Sequence, residues 1–103
     1  MSKLSNLLLS KGMQNDLEQV LFILTKYPIE KIILYGSLAR GDYRETSDID
    51  ICVKGLPDQN FFLALAECLL TTEHAVSLTD FDQTAGYFRQ RILTEGKILY
   101  ESH

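Results

Sequence analysis

Two short apolar runs, Lys31 to Tyr35 (KIILY) and Ile49 to Val53 (IDICV), flank a link of about a dozen residues. This pairing constrains the chain more than any other feature. The first run is rich in branched side chains and stops at Gly36, the mark of a buried strand. The second alternates apolar and other residues, as a strand with one half-polar face does. The link has room for a short helix.

The remaining periodicities place helices around these strands. Leu17, Val20, Leu21 and Leu24 fall at i, i+3, i+4 and i+7, one face of an amphipathic helix that Pro28 brings to an end. Before it, Leu4, Leu7 and Leu8 have helical spacing that Gly12 interrupts. Gly55 and Pro57 break the second strand, and Asp58 or Asn60 is placed to cap a helix whose inward face is Phe62, Leu65, Ala66 and Leu69. A third strand is expected over His74 to Leu78. A last helix is expected over Thr84 to Thr94, with Ala85, Phe88 and Ile92 inward and Gly96 as its stop. Lys97 to Tyr100 closes the chain as a short strand. The order α-β-turn-β-α-β-α-β implies an α/β (α+β) architecture, a small mixed sheet with helices packed on it.

The 103 residues suffice for one domain, expected to span 1–103, and no repeat or linker divides them. No apolar run reaches the roughly 18 residues of a membrane span. The apolar stretch Leu7 to Leu9 is too short for a signal peptide, so no membrane association and a cytoplasmic location are expected. Cys52 and Cys68 lack metal-ligand spacing and are expected to be buried thiols. Fourteen acidic against ten basic side chains give a net charge of −4. Such a chain is poorly suited to a DNA or RNA groove and better suited to a single nucleotide carried with a metal.

Candidate chemistry gathers in Gly36 to Ile51, GSLARGDYRETSDIDI. A glycine after a strand lets a ligand approach the backbone closely. If Ser37 opens a helical turn, free N–H groups there favour a phosphate, and the serine hydroxyl adds a hydrogen bond. Asp48 and Asp50 sit at i and i+2, so their side chains share a face. Two carboxylates on one face can hold a hard cation such as Mg²⁺. Aspartate is a poor strand former, so two in one strand call for such a reason. A phosphate cradle beside a carboxylate pair, with Arg40 between, serves displacement at phosphorus.

The pattern G-S-x-A-R-G followed by S-D-I-D-I resembles the signature of the minimal nucleotidyltransferases of the DNA polymerase beta superfamily. The resemblance covers about residues 15 to 101 and implies a polymerase beta palm-like fold. It implies that Gly36 and Ser37, with Arg40, bind a nucleoside triphosphate such as ATP, and that Asp48 and Asp50 bind Mg²⁺. It further implies a HEPN-domain partner, with this chain as antitoxin of a toxin–antitoxin pair, and transfer of an adenylyl group to a hydroxyl of that toxin. A homo- or hetero-oligomer is compatible with so small a domain.

The match departs from the family at the third acid, expected on the following strand. In Val76-Ser77-Leu78-Thr79-Asp80 that position is Ser77, an uncharged side chain. Asp80 is the nearest substitute and a candidate catalytic residue, although its strand parity turns it to the other side. Asp82 shares that parity and lies farther off. Two functions follow: an enzyme working with two acids, or a nucleotidyltransferase-fold module that neutralises a partner by binding alone. An aminoglycoside-modifying enzyme is disfavoured because no second domain holds the substrate. Tyr43 and Arg44 lie in the link near the site. Arg89 and Arg91 on the last helix are candidates for an acidic partner or phosphate, His74 is expected at the surface, and His103 is terminal.

Overall fold

The computed structural model describes residues 7–102; Leu4 and His103 lie outside them. Helix α1 spans Lys11–Leu24. Its N-terminus is capped by Ser10, whose Oγ accepts from the Met13 N–H at 3.2 Å. Gly12 therefore sits inside the first turn of α1, and residues 7–10, where Leu7 and Leu8 have helical spacing, are not helical. Strand β1 is Lys31–Tyr35, the single-turn helix α2 is Ser37–Arg40, and strand β2 is Ile49–Lys54. The link thus holds the short helix its length allows. Helix α3 is Asp58–Thr71 and strand β3 is Val76–Asp80. A 3₁₀ turn over Phe81–Gln83 leads to helix α4, Gly86–Glu95, and strand β4, Lys97–Glu101.

The four strands form one mixed sheet in the order β3-β2-β1-β4. Strand β1 pairs antiparallel with β2 and β4, while β2 pairs parallel with β3. One face of the sheet carries Ile32, Leu34, Ile49, Ile51 and Val53, packed against Met13, Leu17, Val20 and Leu24 of α1 and Ala64 and Cys68 of α3. Each of the fully buried leucines and isoleucines in this layer stabilises the fold by roughly 1.5–3 kcal/mol relative to exposure. The opposite face has a smaller cluster of Ile33, Cys52 and Ile92, flanked by Tyr35 and Phe81. Both cysteines are buried free thiols; burial pushes Cys52 up to about 12 and Cys68 up to about 11.

Four expectations need correction. Helix α3 buries Ala64 and Cys68 and turns Phe62, Ala66 and Leu69 outward. Residues 61–66 are apolar without interruption, so two helical faces fit the same stretch and periodicity cannot choose between them. Strand β3 begins at Val76, two residues later than expected, because His74 is held by α1. Asp16 of α1 is buried, and its Oδ2 accepts from the N–H of Glu73 at 3.0 Å, from the N–H of His74 at 2.8 Å and lies 2.6 Å from His74 Nδ1. His74 is accordingly largely buried, not a surface side chain. In α4 only Ile92 is buried, while Ala85 and Phe88 are exposed. No helix among the described residues is long and apolar enough to cross a membrane.

Candidate active site

The antiparallel β1–β2 pair sets Tyr35 opposite Asp50, so the chain leaving β1 runs beside the chain entering β2. That register brings Gly36-Ser37 to the aspartates. Gly36 has φ 75°, a conformation that favours glycine. A Cβ added there would lie 2.3 Å from Asp50 Oδ2. The glycine therefore makes room for the carboxylate as well as for a ligand. Helix α2 is a single turn, too short for a substantial macrodipole. What it could offer an anion is the N–H groups of a first turn and the Ser37 hydroxyl.

A cleft of about 420 Å³ is lined by Tyr35, Gly36, Ser37, Arg40, Asp50, Phe88, Arg91 and Glu95. Four of the five residues expected around a nucleotide's phosphates and metal, Gly36, Ser37, Arg40 and Asp50, converge here. The fifth, Asp48, is exposed just before β2 and lines a separate cleft of about 510 Å³ with Glu45, Glu73 and His74. Asp48 and Asp50 nonetheless feel each other. Burial holds the Asp50 carboxyl above its usual range, the Asp48 charge raises it further, and Arg40 works in the opposite direction.

Helix α4 forms the far wall; of its residues here the sequence offers Arg91 as a candidate for phosphate, but not Phe88 or Glu95 as part of the site. Phe88 meets the Tyr35 ring edge-on, with centroids 5.8 Å apart. Glu95 accepts from Arg40 Nη1 at 3.1 Å and from Arg91 Nε and Nη2 at 3.3 and 3.2 Å. Two guanidiniums thus border the cleft, bridged by one carboxylate. The spacing 88, 91, 95 put these residues on one helical face, and that was the available signal. Arg91 lines the cleft, whereas Arg89 lies over the Phe81 ring at 4.3 Å.

Ser77 pairs in register with Asp50 across β2–β3, which is where a third acid would complete the group. Asp80 does not substitute for it. It pairs with Val53, whose side chain is in the α1–α3 core, and it lines a separate pocket with Asp58, Phe61, Phe62 and Gln83. Its Oδ1 accepts from the Asp82 N–H at 3.1 Å, the cap of the 3₁₀ turn. Asp82 itself pairs with Lys54 at 3.1 Å. In the link, the Tyr43 hydroxyl accepts from the Ser10 N–H at 2.7 Å, which fastens the link to α1, and Arg44 is exposed. Among the described residues no three His, Cys, Asp or Glu side chains gather to hold a metal ion. Two carboxylates still fit Mg²⁺, which usually takes one or two together with substrate phosphates and water.

Gly-Ser at the end of one strand of a mixed sheet and Asp-Ile-Asp at the start of its neighbour are arranged as in the nucleotidyltransferase fold. The chain belongs to the Polymerase beta, Nucleotidyltransferase family, whose profile matches residues 18–103. It is 40% identical over 79 residues to MJ0604 of Methanocaldococcus jannaschii, whose name proposes a protein adenylyltransferase; the match covers 70% of this chain and 79% of that one. Among solved structures, a chain of a toxin–antitoxin complex with AMP-PNP superposes with a TM-score of 0.72 at 24% identity, covering 85% of this chain and 74% of that one. A chain from the complex of tri-AMPylated Shewanella oneidensis HEPN toxin with MNT antitoxin gives 0.66 at 21% identity, covering 86% and 72%. At these identities the structural likenesses establish the polymerase beta-like fold.

Proposed function

We propose that the protein is a Mg²⁺-dependent adenylyltransferase that moves an adenylyl group from ATP to a hydroxyl of a HEPN-type toxin, and so acts as its antitoxin. The observation that carries this reading is the convergence of Gly36, Ser37, Arg40 and Asp50 on one cleft. Ser37 and Arg40 are suited to phosphate oxygens, the guanidinium through charge-assisted hydrogen bonds. Asp48 and Asp50 are the carboxylates that would hold the cation. When bound, Mg²⁺ neutralises phosphate charge and aligns the displacement. Gly36 and Asp50 pack so closely that the phosphate and metal subsites adjoin. The name of MJ0604 supports adenylyl transfer to protein, and the toxin–antitoxin complexes among the structural neighbours support the partner.

The second reading is neutralisation by binding alone. The absence of a carboxylate at Ser77, opposite Asp50, favours it. One experiment separates the two. Purified protein is incubated with Mg²⁺, labelled ATP and the HEPN protein encoded nearest to it, and label on that protein is measured. The enzyme reading expects transfer that falls by about 100-fold or more in Asp48→Asn and Asp50→Asn. No label from the wild type, with toxin neutralisation intact in the double alanine variant, would establish the binding reading instead.

A further inference from the structure

We infer that the outward face of α3 is a two-fold interface through which two copies of this chain pair. Phe62, Leu63, Leu69 and Leu70 of α3 are 77, 62, 47 and 87% exposed, and Phe22 on neighbouring α1 is 67% exposed. Lys26 lies 5.7 Å from the centroid of the Phe22 ring and pairs with Glu67 of α3. Glu67 falls between Leu63 and Leu70 on the helix, so Phe22 extends the same patch. Taking about 200 Å² for a whole phenylalanine side chain and about 100 Å² for a leucine, these residues present about 500 Å² of apolar surface. A standard interface buries about 800 Å² per partner, some 56–65% of it apolar. The patch therefore has the apolar area of one such interface.

The order of residues along α3 selects the occupant. Ala66 is exposed and small, and the large apolar side chains stand three and four positions to either side of it: Phe62 and Leu63 before, Leu69 and Leu70 after. An antiparallel α3–α3 contact about an axis at Ala66 sets Phe62 against Leu70 and Leu63 against Leu69 of the second copy. This is the self-complementarity that an isologous interface requires, with a small residue where the helices approach closest. The neighbouring charges, Lys26 and Glu67, already neutralise one another and do not ask for a charged partner. The nucleotide cleft lies on the other face of the sheet, so the pairing leaves both clefts open.

Sedimentation velocity of the purified protein from about 1 to 100 µM tests this. The wild type is expected to reach twice the 11.7 kDa chain mass. Ala66→Arg is expected to stay at the single-chain mass throughout, with an unchanged circular dichroism spectrum. Ala66→Cys, under mild oxidation, is expected to give a disulfide-linked pair on a non-reducing gel, whereas exposed Gln90→Cys on α4 is not. If Ala66→Arg fails to fold, the cysteine variant still decides. A wild type that remains single-chain over this range overturns the inference, including the case where the face is covered only on adding another protein. A paired Ala66→Arg, or an Ala66→Cys that does not cross-link, overturns it equally.

Discussion

Ser77 stands directly opposite Asp50 across the parallel β2–β3 pair. Restoring a carboxylate there makes a direct test of what the site lacks. Ser77→Asp adds a third negative charge beside two others, so without metal the variant should melt below the wild type. With millimolar Mg²⁺ it should gain more than the wild type, since metal bound only by the folded state stabilises by mass action. Differential scanning fluorimetry with and without Mg²⁺ reads both effects. An equal Mg²⁺ response in the two proteins would mean that position 77 is not part of the metal group.

Asp50 makes the apo fold sensitive to pH. Its carboxyl is held above the usual range by burial first and the Asp48 charge second. Between the ordinary value and the raised one, the folded chain keeps a proton that the unfolded chain has lost. Stability therefore falls as pH rises through that window. Asp50→Asn removes the charge, so in EDTA at pH 7 it should be more stable by about 0.5–2 kcal/mol, the common gain when a functional strain is relieved. The gain should vanish below the ordinary carboxylate range. Urea melts at pH 3 and pH 7 give the comparison, and a variant less stable at pH 7 would contradict it.

The Asp16–His74 contact acts with the opposite charge. Its hydrogen bond to Asp16 is the main cause of the raised His74 pKa, against burial, which lowers it. The stabilisation from this pair is complete below the imidazole's ordinary value near 6.5 and is lost as pH rises through the raised folded value. Asp16→Asn should abolish that slope and cost about 1–3 kcal/mol, because two backbone N–H groups lose a charged acceptor. Chemical denaturation at pH 5.5 and pH 8.5 measures both. A pH slope that survives the substitution would assign it to another group.

Gly36→Ala tests how closely the two halves of the site are packed. The added methyl meets the Asp50 carboxylate, and the positive φ strains any side chain. A loss of about 1–3 kcal/mol is expected, with ATP binding reduced by about tenfold or more as Asp50 is pushed aside. Isothermal titration with ATP and Mg²⁺ would show it; undiminished affinity would place the phosphates away from Gly36.

Much of this arrangement was legible in the sequence because it is local. KIILY and IDICV supplied their own strand signals and Gly36 marked the turn after the first, whereas Asp48, expected on one face with Asp50, stands just before β2 and lines a different cleft. Ser77 could be matched to the missing acid, and the parity of Asp80 already pointed away from the site. What could not be read depends on contacts far apart in the chain. Asp16 fixes His74 from 58 residues away and so shifts the start of β3. The face of α3 that meets the sheet is chosen by packing, since both faces are apolar. The wall formed by Phe88, Arg91 and Glu95 exists only because β4 returns α4 to β1, where Gly96 lets the helix end come against Ile33.

That wall is lightly fastened. Helix α4 buries only Ile92, and its other ties are the Tyr35–Phe88 ring contact, Arg89 over the Phe81 ring and the Arg40–Glu95 ion pair at the cleft. Helix α1, by contrast, buries Met13, Leu17, Val20, Ile23 and Leu24. In terms of local unfolding, so few buried contacts lead us to expect α4 to open separately, near the low end of the stability scale. Its amides should exchange with deuterium well before those of α1, and a ligand bridging Arg40 and Arg91 should slow them selectively. Opening and closing of the cleft would then be a transition of one ten-residue helix, carried out while the α1–α3 layer stays intact.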